Sequence, residues 1–189
     1  MRTGAAKTPV TADELPLVSA RLSILGKRTE LVRGDLVVMA PAGGRHGQVA
    51  HRFGLFIGNH VLERDLGRVF AAETGFLLRR DPDTVRAPDV AFVAGERLGT
   101  DETPAGFLEL APDLAVEVVS PGDSARAVRD KLQDWLAAGT RLVWVAYPET
   151  WSVVVHRQGG SPETLSGEDT LSGVPVLSDF TVRVRELFD

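Results

Sequence analysis

The 189-residue chain contains no cysteine and one tyrosine, and only 6% of its residues are aromatic. The lack of cysteine excludes disulfides, thiolate metal sites and cysteine nucleophiles. No apolar run approaches the roughly 20 residues of a membrane-spanning helix, and no apolar core of a secretory signal follows residues 1–7. We therefore expect a globular cytoplasmic protein that does not associate with a membrane.

Positive charge is also in deficit, because 21 basic residues face 26 acidic ones and give a net charge of −5. A protein that coats nucleic acid non-specifically needs many cationic contacts to release counterions, which this balance disfavours. A nuclease remains compatible with it, since a local basic surface can coexist with an acidic whole. The pattern also contains no phosphate-binding loop, dinucleotide fingerprint or nucleophile elbow.

The most informative feature is a phrase that occurs twice, RAPDVAFV at 86–93 and LAPDLAVEVV at 110–119. Each copy predicts a short buried strand, because proline precedes a run of apolar, partly β-branched residues. The second strand carries Glu117 within its apolar run, and the first begins at Asp89. A carboxylate in a buried strand needs a compensating partner, and a divalent cation is one such partner when a second carboxylate lies on the next strand.

The remaining pattern predicts a flexible tail at residues 1–10 and a single domain at 11–189. The predicted elements are a short helix opened by a capping box at Thr11 and Glu14, a hairpin at 29–39 turning at Arg33 and Gly34, a helix at 46–65, strands at 68–78, 89–93 and 113–119, a helix at 124–138, a hairpin at 141–156, a loop at 159–173 and a strand at 180–184. This order of helix, three strands, helix and strand indicates a mixed α/β sheet flanked by helices. We expect Trp135 and Leu136 to be buried and Trp144 to lie on a central strand.

Asp89 and Glu117, with a backbone carbonyl and waters, would form a hard oxygen site suited to Mg²⁺ or Mn²⁺. Lys131 lies at the border of the apolar stripe of helix 124–138 and could direct its amine towards the two carboxylates. This combination suggests metal-dependent cleavage of a phosphodiester. Alternatives remain open: Asp89 could simply begin its strand, Lys131 could be a solvated helix lysine, and Glu117 could pair with Arg86 or Arg126.

Other residues are secondary candidates. Glu30 could be a third acid or a surface strand residue, and His46 could contribute to the site or begin its helix as a loop histidine. Asp113 occupies the position of Asp89 in the second copy of the phrase, and we interpret it only as the start of its strand. The candidate phosphate contacts are four arginines, Arg45, Arg79, Arg126 and Arg129.

Taken together and in order, several segments resemble the Uma2 family of restriction endonucleases, also classified as DUF820. These segments are ELVRGDLV at 30–37, the spacing from Pro41 to His46, ETGF at 73–76, RAPDVAFV at 86–93, PDLAVEVVSP at 112–121 and KLQDWLAAGTRLVWV at 131–145. The resemblance spans about residues 11–188. It implies a restriction-endonuclease-like α/β core of the PD-(D/E)XK type, with an N-terminal β-hairpin and extra C-terminal strands.

The resemblance also implies roles for individual residues. Asp89 and Glu117 match the metal-binding acids, and Lys131 matches a lysine that members carry on the following helix, in place of the strand position occupied here by Val119. Glu30 and His46 match recurrent positions. The expected activity is Mg²⁺-dependent (or Mn²⁺-dependent) DNA endonuclease activity, in a chain that could form a homodimer; the alternative is a catalytically inactive nucleic-acid-binding or regulatory module with the same fold.

Overall fold

The structure, a computed structural model, describes residues 9–99 and 103–189. The helices are α1 (Leu15–Ser23), α2 (Gly44–Arg64), α3 (Gly95–Leu98) and α4 (Ala125–Ala137), and a 3₁₀ helix spans Val184–Leu187. The strands are β1 (Arg28–Val32), β2 (Asp35–Met39), β3 (Gly67–Ala71), β4 (Phe76–Arg79), β5 (Thr84–Arg86), β6 (Val90–Ala94), β7 (Leu114–Val118), β8 (Leu142–Tyr147), β9 (Ser152–Arg157), β10 (Glu163–Ser166), β11 (Thr170–Ser172) and β12 (Thr181–Arg183). Within the described residues, no helix is long and apolar enough to cross a membrane.

A six-stranded mixed sheet forms the centre of the fold, with strand order β10-β9-β8-β7-β6-β3. The β7–β8 pair is parallel, whereas the other pairs are antiparallel. Helix α2, strands β3, β6 and β7, helix α4 and strand β8 follow one another along the chain. The predicted order of helix, three strands, helix and strand is therefore confirmed in the central sheet, and so is the mixed α/β class.

The two long helices pack on opposite faces of this sheet. Helix α2 buries Phe53 and Ile57 against one face, which also contains Trp144. Helix α4 buries Trp135 against the other face. The predicted burial of Trp135 and the central position of Trp144 are confirmed, but Leu136 is only partly buried because it lies at the side of the apolar stripe of α4.

A second sheet, with strand order β2-β1-β5-β4, is built on the predicted N-terminal hairpin. The hairpin turns at Arg33 and Gly34, which both adopt positive φ. The capping box before α1 also forms, because the Thr11 amide donates to Glu14 Oε2 at 2.9 Å and the Glu14 amide donates to Thr11 Oγ1 at 3.3 Å. Most of the predicted tail, residues 1–8, lies outside the described residues.

Two predictions of secondary structure were wrong. The strand predicted at 68–78 is two strands in different sheets, because the chain turns at Glu73, which has φ +70°, and at Gly75, where a Cβ would lie 2.4 Å from the Phe107 ring. The segment 159–173 contains strands β10 and β11 where a loop was expected. Strand β10 pairs with β9 and strand β11 pairs with the predicted C-terminal strand, β12, so this pairing supplies order that glycine and serine content does not indicate.

Candidate active site

The two copies of the repeated phrase form neighbouring antiparallel strands, β6 and β7. Their register pairs Val90 with Val116, so Asp89 lies directly opposite Glu117 one position further along. Directly opposed residues share a face of the sheet. This face is the one covered by α4, because Ala115, two residues before Glu117 on β7, belongs to the same core cluster as Trp135 of α4. The register thus brings both predicted acids to one side of the sheet.

Helix α4 places Lys131 over these acids. Its Nζ lies 2.8 Å from Glu117 Oε2 and 3.1 Å from Glu30 Oε1, and it donates to the Ala87 carbonyl at 2.9 Å. One turn further along α4, Trp135 Nε1 donates to Glu117 Oε1 at 2.7 Å. Residues four apart lie on the same helix face, so a single face of α4 engages both oxygens of Glu117.

Glu30 enters the site from β1 in the other sheet, and its side chain is only 2% exposed. The Arg86 guanidinium donates to Glu30 Oε2 at 2.8 Å and, through Nε and Nη2, to Asp134 Oδ2 at 2.9 and 2.6 Å. The Ala87 amide donates to Glu30 Oε1 at 3.1 Å. Arg86 therefore connects the hairpin sheet to α4 and holds the carboxylate that faces Lys131.

His46 lies in the first turn of α2 and approaches the site from the opposite helix. Its Nε2 lies 3.2 Å from Asp89 Oδ2, and the same oxygen accepts a hydrogen bond from the Val118 amide at 2.8 Å. Asp89 thus contacts both α2 and the end of β7. All five predicted residues, Glu30, His46, Asp89, Glu117 and Lys131, are brought together, and none of the interpretations of them as isolated surface or loop residues matches these contacts.

The charges of these groups are strongly coupled. Burial raises the pKa of Glu117 to about 7, and the nearby carboxylates Asp89 and Glu30 add to the rise while Lys131 opposes it. Burial would lower the pKa of Lys131, but its three surrounding carboxylates raise it above the usual range. Burial also disfavours the ionised form of Asp89, yet the hydrogen bond from His46 and the charge of Lys131 keep its pKa below the usual value. The carboxyl groups of Glu30, Asp89 and Glu117 thus surround one ammonium, that of Lys131.

The site presents carboxylate oxygens, the donors that hard divalent cations prefer. Among the described residues, no group of three or more histidine, aspartate or glutamate side chains is arranged to hold a metal. Mg²⁺, however, usually takes one or two carboxylates and keeps several waters. Four carboxylates, those of Glu30, Asp89, Glu117 and Asp134, interact with the two cations Arg86 and Lys131. When all four are ionised, their negative charge exceeds the charge of these two cations by two, which is the charge of one divalent ion. The oxygen donors and the charge of the site fit one such ion.

Asp113 shows which part of this arrangement is structural. It lies at the other end of the same strand pair, where its Oδ2 accepts from the Ala94 amide at 2.9 Å, as Asp89 does from Val118. Its other oxygen lies 2.9 Å from an Arg97 nitrogen. The aspartate of each copy thus accepts a hydrogen bond from the end of the partner strand. Only at the end with Asp89 do a glutamate, a lysine and a histidine also lie close together. The expectation that Asp113 only begins its strand was too narrow, because it also holds this ion pair.

A cleft of about 1070 Å³ opens above the acids. Its walls come from α1, the β1–β2 hairpin, the start of α2 and the loop at 118–123. Of the four predicted phosphate contacts, only Arg45 lines it, and Arg45 Nη2 donates to the Pro148 carbonyl at 2.6 Å. Arg79, Arg126 and Arg129 are exposed and do not contribute to the lining.

Sequence reasoning missed several residues of the site. Arg86 was considered only as a partner of Glu117, whereas its contacts are Glu30 and Asp134. Trp135 was interpreted as core, but its indole N–H also holds Glu117. The signal for Asp134 and Trp135 was available, since both lie within one turn of Lys131 on α4. Arg28, which lines the cleft, carried no signal beyond its charge.

Comparison with known proteins agrees with this architecture. The crystal structure of a protein described as a "putative nuclease belonging to DUF820", from Anabaena variabilis ATCC 29413, aligns with a TM-score of 0.77 and 23% sequence identity, covering 95% of this chain and 98% of that one. This similarity supports the restriction-endonuclease-like fold. A search of curated proteins finds no match. The family described as "Uma2: Putative restriction endonuclease" matches residues 21–185, and the chain therefore belongs to the Uma2 family.

Proposed function

We propose that this protein is a Mg²⁺- or Mn²⁺-dependent endonuclease that hydrolyses phosphodiester bonds in DNA. One observation carries the proposal: Asp89 and Glu117 face each other across two strands, at the floor of a cleft, with the ammonium of Lys131 beside Glu117. Membership of the Uma2 family, whose description is that of a restriction endonuclease, supports nuclease chemistry. Without a bound cation, burying more carboxylates than cations costs desolvation free energy that no partner offsets.

Each side chain has a distinct task in this proposal. Asp89 and Glu117 would hold the metal ion, which when bound polarises a phosphate oxygen and lowers the pKa of a water. Lys131 stabilises the negative charge that builds on the phosphate in the transition state. Glu30 and the Ala87 carbonyl fix the position of the Lys131 ammonium, because an oxygen of each lies within hydrogen-bonding distance of its Nζ.

His46 and Arg86 act through other residues. The contact from His46 orients the Asp89 carboxylate, as outer partners of metal ligands commonly do. Arg86 keeps Glu30 ionised and in place between the two sheets. Both are positioning residues in this scheme.

The test combines metal binding with DNA cleavage. Calorimetry with Mn²⁺ should detect binding to wild type and Lys131→Met, and little or none to Asp89→Asn or Glu117→Gln. Cleavage of plasmid and single-stranded DNA should require Mg²⁺ or Mn²⁺, stop with EDTA, and be lost in all three variants. The loss in Lys131→Met should be in turnover, because its interaction is made mainly in the transition state.

Asp113→Asn is the matched control, since Asp113 makes the same strand-end hydrogen bond without the surrounding site. This variant should retain metal binding and cleavage. Metal binding by wild type without cleavage of either substrate would favour an inactive binding or regulatory module. Equal metal affinities of wild type and Glu117→Gln would show that the metal site was wrongly assigned.

A further inference from the structure

Arg28 is a cation of the cleft that has no acceptor in the part of the chain that the structure describes. It is the first residue of β1, it is partly buried, and it lines the cleft. Its Nε is buried and has no hydrogen-bond partner within the described residues. The other arginines of the cleft differ, because Arg86 pairs with Glu30 and Arg45 donates to the Pro148 carbonyl.

A buried donor without an acceptor requires a physical reason. Leaving such a group unpaired costs about 1–3 kcal/mol and more when it is charged, and arginine cannot escape by losing its proton. The guanidinium presents a planar fork that matches phosphate oxygens. The acceptor that suits Arg28 is therefore an anionic ligand inside the cleft.

The cleft is small for a nucleic-acid duplex. Its volume of about 1070 Å³ is only slightly above the range of small-molecule pockets, which run from about 300 to 1,000 Å³. The acids lie at its floor, and the side chains of Asp89 and Glu117 are only 9% and 12% exposed. A scissile phosphate must pass between the walls to reach them, which favours a strand that is not held in a double helix.

The lining has a composition that suits unpaired nucleotides. Apolar side chains of α1, the hairpin and two loops form much of the wall, among them Leu15, Met39, Pro41, Phe107 and Pro121. Unpaired bases can pack on such surfaces, whereas duplex phosphates require a continuous band of cations. Together with the net charge of −5, this lining provides few contacts for two phosphate backbones.

We propose that the cleft binds one unpaired DNA strand and that Arg28 donates to a phosphate next to the scissile one. This inference rests on the proposed nuclease function, which supplies DNA as the substrate. It adds that the bound DNA is single-stranded and that Arg28 binds it. Bases of the bound strand contact the apolar wall, and the backbone faces Arg28 and the acid floor.

The experiment measures binding and cleavage separately on the full chain. Fluorescence anisotropy without divalent metal compares a labelled 12-nucleotide single strand with the blunt duplex of the same sequence, for wild type, Arg28→Gln, Arg28→Lys and Arg64→Gln. Arg64 is the matched control, because it is exposed at the other end of α2 from His46. Cleavage of both DNA forms with Mg²⁺ is assayed in parallel.

Wild type should bind the single strand at least tenfold more tightly than the duplex. Arg28→Gln should weaken that binding by about tenfold to a hundredfold, the range for a lost hydrogen bond to a charged group, and reduce the salt slope by about 0.7. Arg28→Lys should recover part of the affinity, and Arg64→Gln should change it less than twofold.

The possible failures are distinguishable. Duplex binding or cleavage equal to that of the single strand would overturn this inference and leave the nuclease function intact. Unchanged binding in a folded Arg28→Gln protein would overturn the assignment of Arg28. Arg28-dependent binding of the single strand without cleavage of any DNA would uphold the inference and refute the nuclease function. Absence of both binding and cleavage of either DNA form would refute both.

Discussion

Replacement of Glu117 by glutamine should remove one pH-dependent contribution to the stability of the metal-free protein. Burial and the neighbouring carboxylates raise the pKa of Glu117 to about 7. The folded state therefore holds a proton on this group that the unfolded chain, with a pKa near 4.5, has already released. Glutamine keeps the shape of the side chain and an oxygen that can accept from Trp135, but it carries no charge at any pH.

The sign and size of this change in stability follow from the linkage between proton binding and folding. Between about pH 4.5 and pH 7 the folded state binds more protons at this site, so the stability that Glu117 contributes falls as the pH rises. A pKa raised from 4.5 to about 7 corresponds to about 3 kcal/mol, since each pKa unit is ~1.4 kcal/mol. The stability of Glu117→Gln relative to wild type should therefore rise by about 3 kcal/mol from pH 4.5 to pH 8.

Urea denaturation in EDTA at half-unit steps across this range measures the difference directly. Glu163→Gln is the control, because Glu163 is an exposed partner of Arg157 on the strand at the edge of the sheet, and its difference from wild type should change by less than 1 kcal/mol. Saturating Mn²⁺ should raise the stability of wild type at pH 8 and leave Glu117→Gln nearly unchanged. A difference that is flat, or that falls as the pH rises, would refute the reasoning, since it would mean that Lys131 alone keeps Glu117 ionised.

Three further predictions concern the contacts around the site. Arg86→Gln should lower the free energy of unfolding by about 3–5 kcal/mol, because it leaves Glu30 and Asp134 without their shared cation; a loss below 1 kcal/mol in urea denaturation would contradict this. Asp113→Asn should cost about 1–3 kcal/mol in the same assay, because it weakens a buried contact to Arg97, while the Mn²⁺ affinity measured by calorimetry stays within twofold of wild type. Trp135→Phe should cost about 1–3 kcal/mol at pH 8, where Glu117 is ionised and loses its indole donor, and less at pH 5; an equal cost at both pH values would indicate that the ring is important only for packing.

Local patterns along the chain were sufficient for the central part of this protein. The alternation of strands and the repeated phrase placed Asp89 and Glu117 on neighbouring strands, and helical spacing placed Lys131 at the edge of the apolar stripe of α4. These features depend on the short-range periodicity of strands and helices, which a sequence displays directly. The order of helix, three strands, helix and strand follows from the same patterns. The break of the predicted strand at Gly75 does not follow from them, because it depends on the distant Phe107 ring.

The partners of the charged groups were decided only by the tertiary structure. Sequence patterns allowed Arg86 or Arg126 as partners of Glu117, but Arg86 pairs with Glu30 and Asp134, which lie 56 and 48 residues away along the chain. A carboxylate binds whichever cation the packing of sheets and helices brings to it, and no local period encodes that choice. The repeated phrase was sufficient to assign Asp89 and Glu117 to one strand pair. Only the packing of the hairpin sheet and α4 around them determined that they form one buried network with an excess of negative charge.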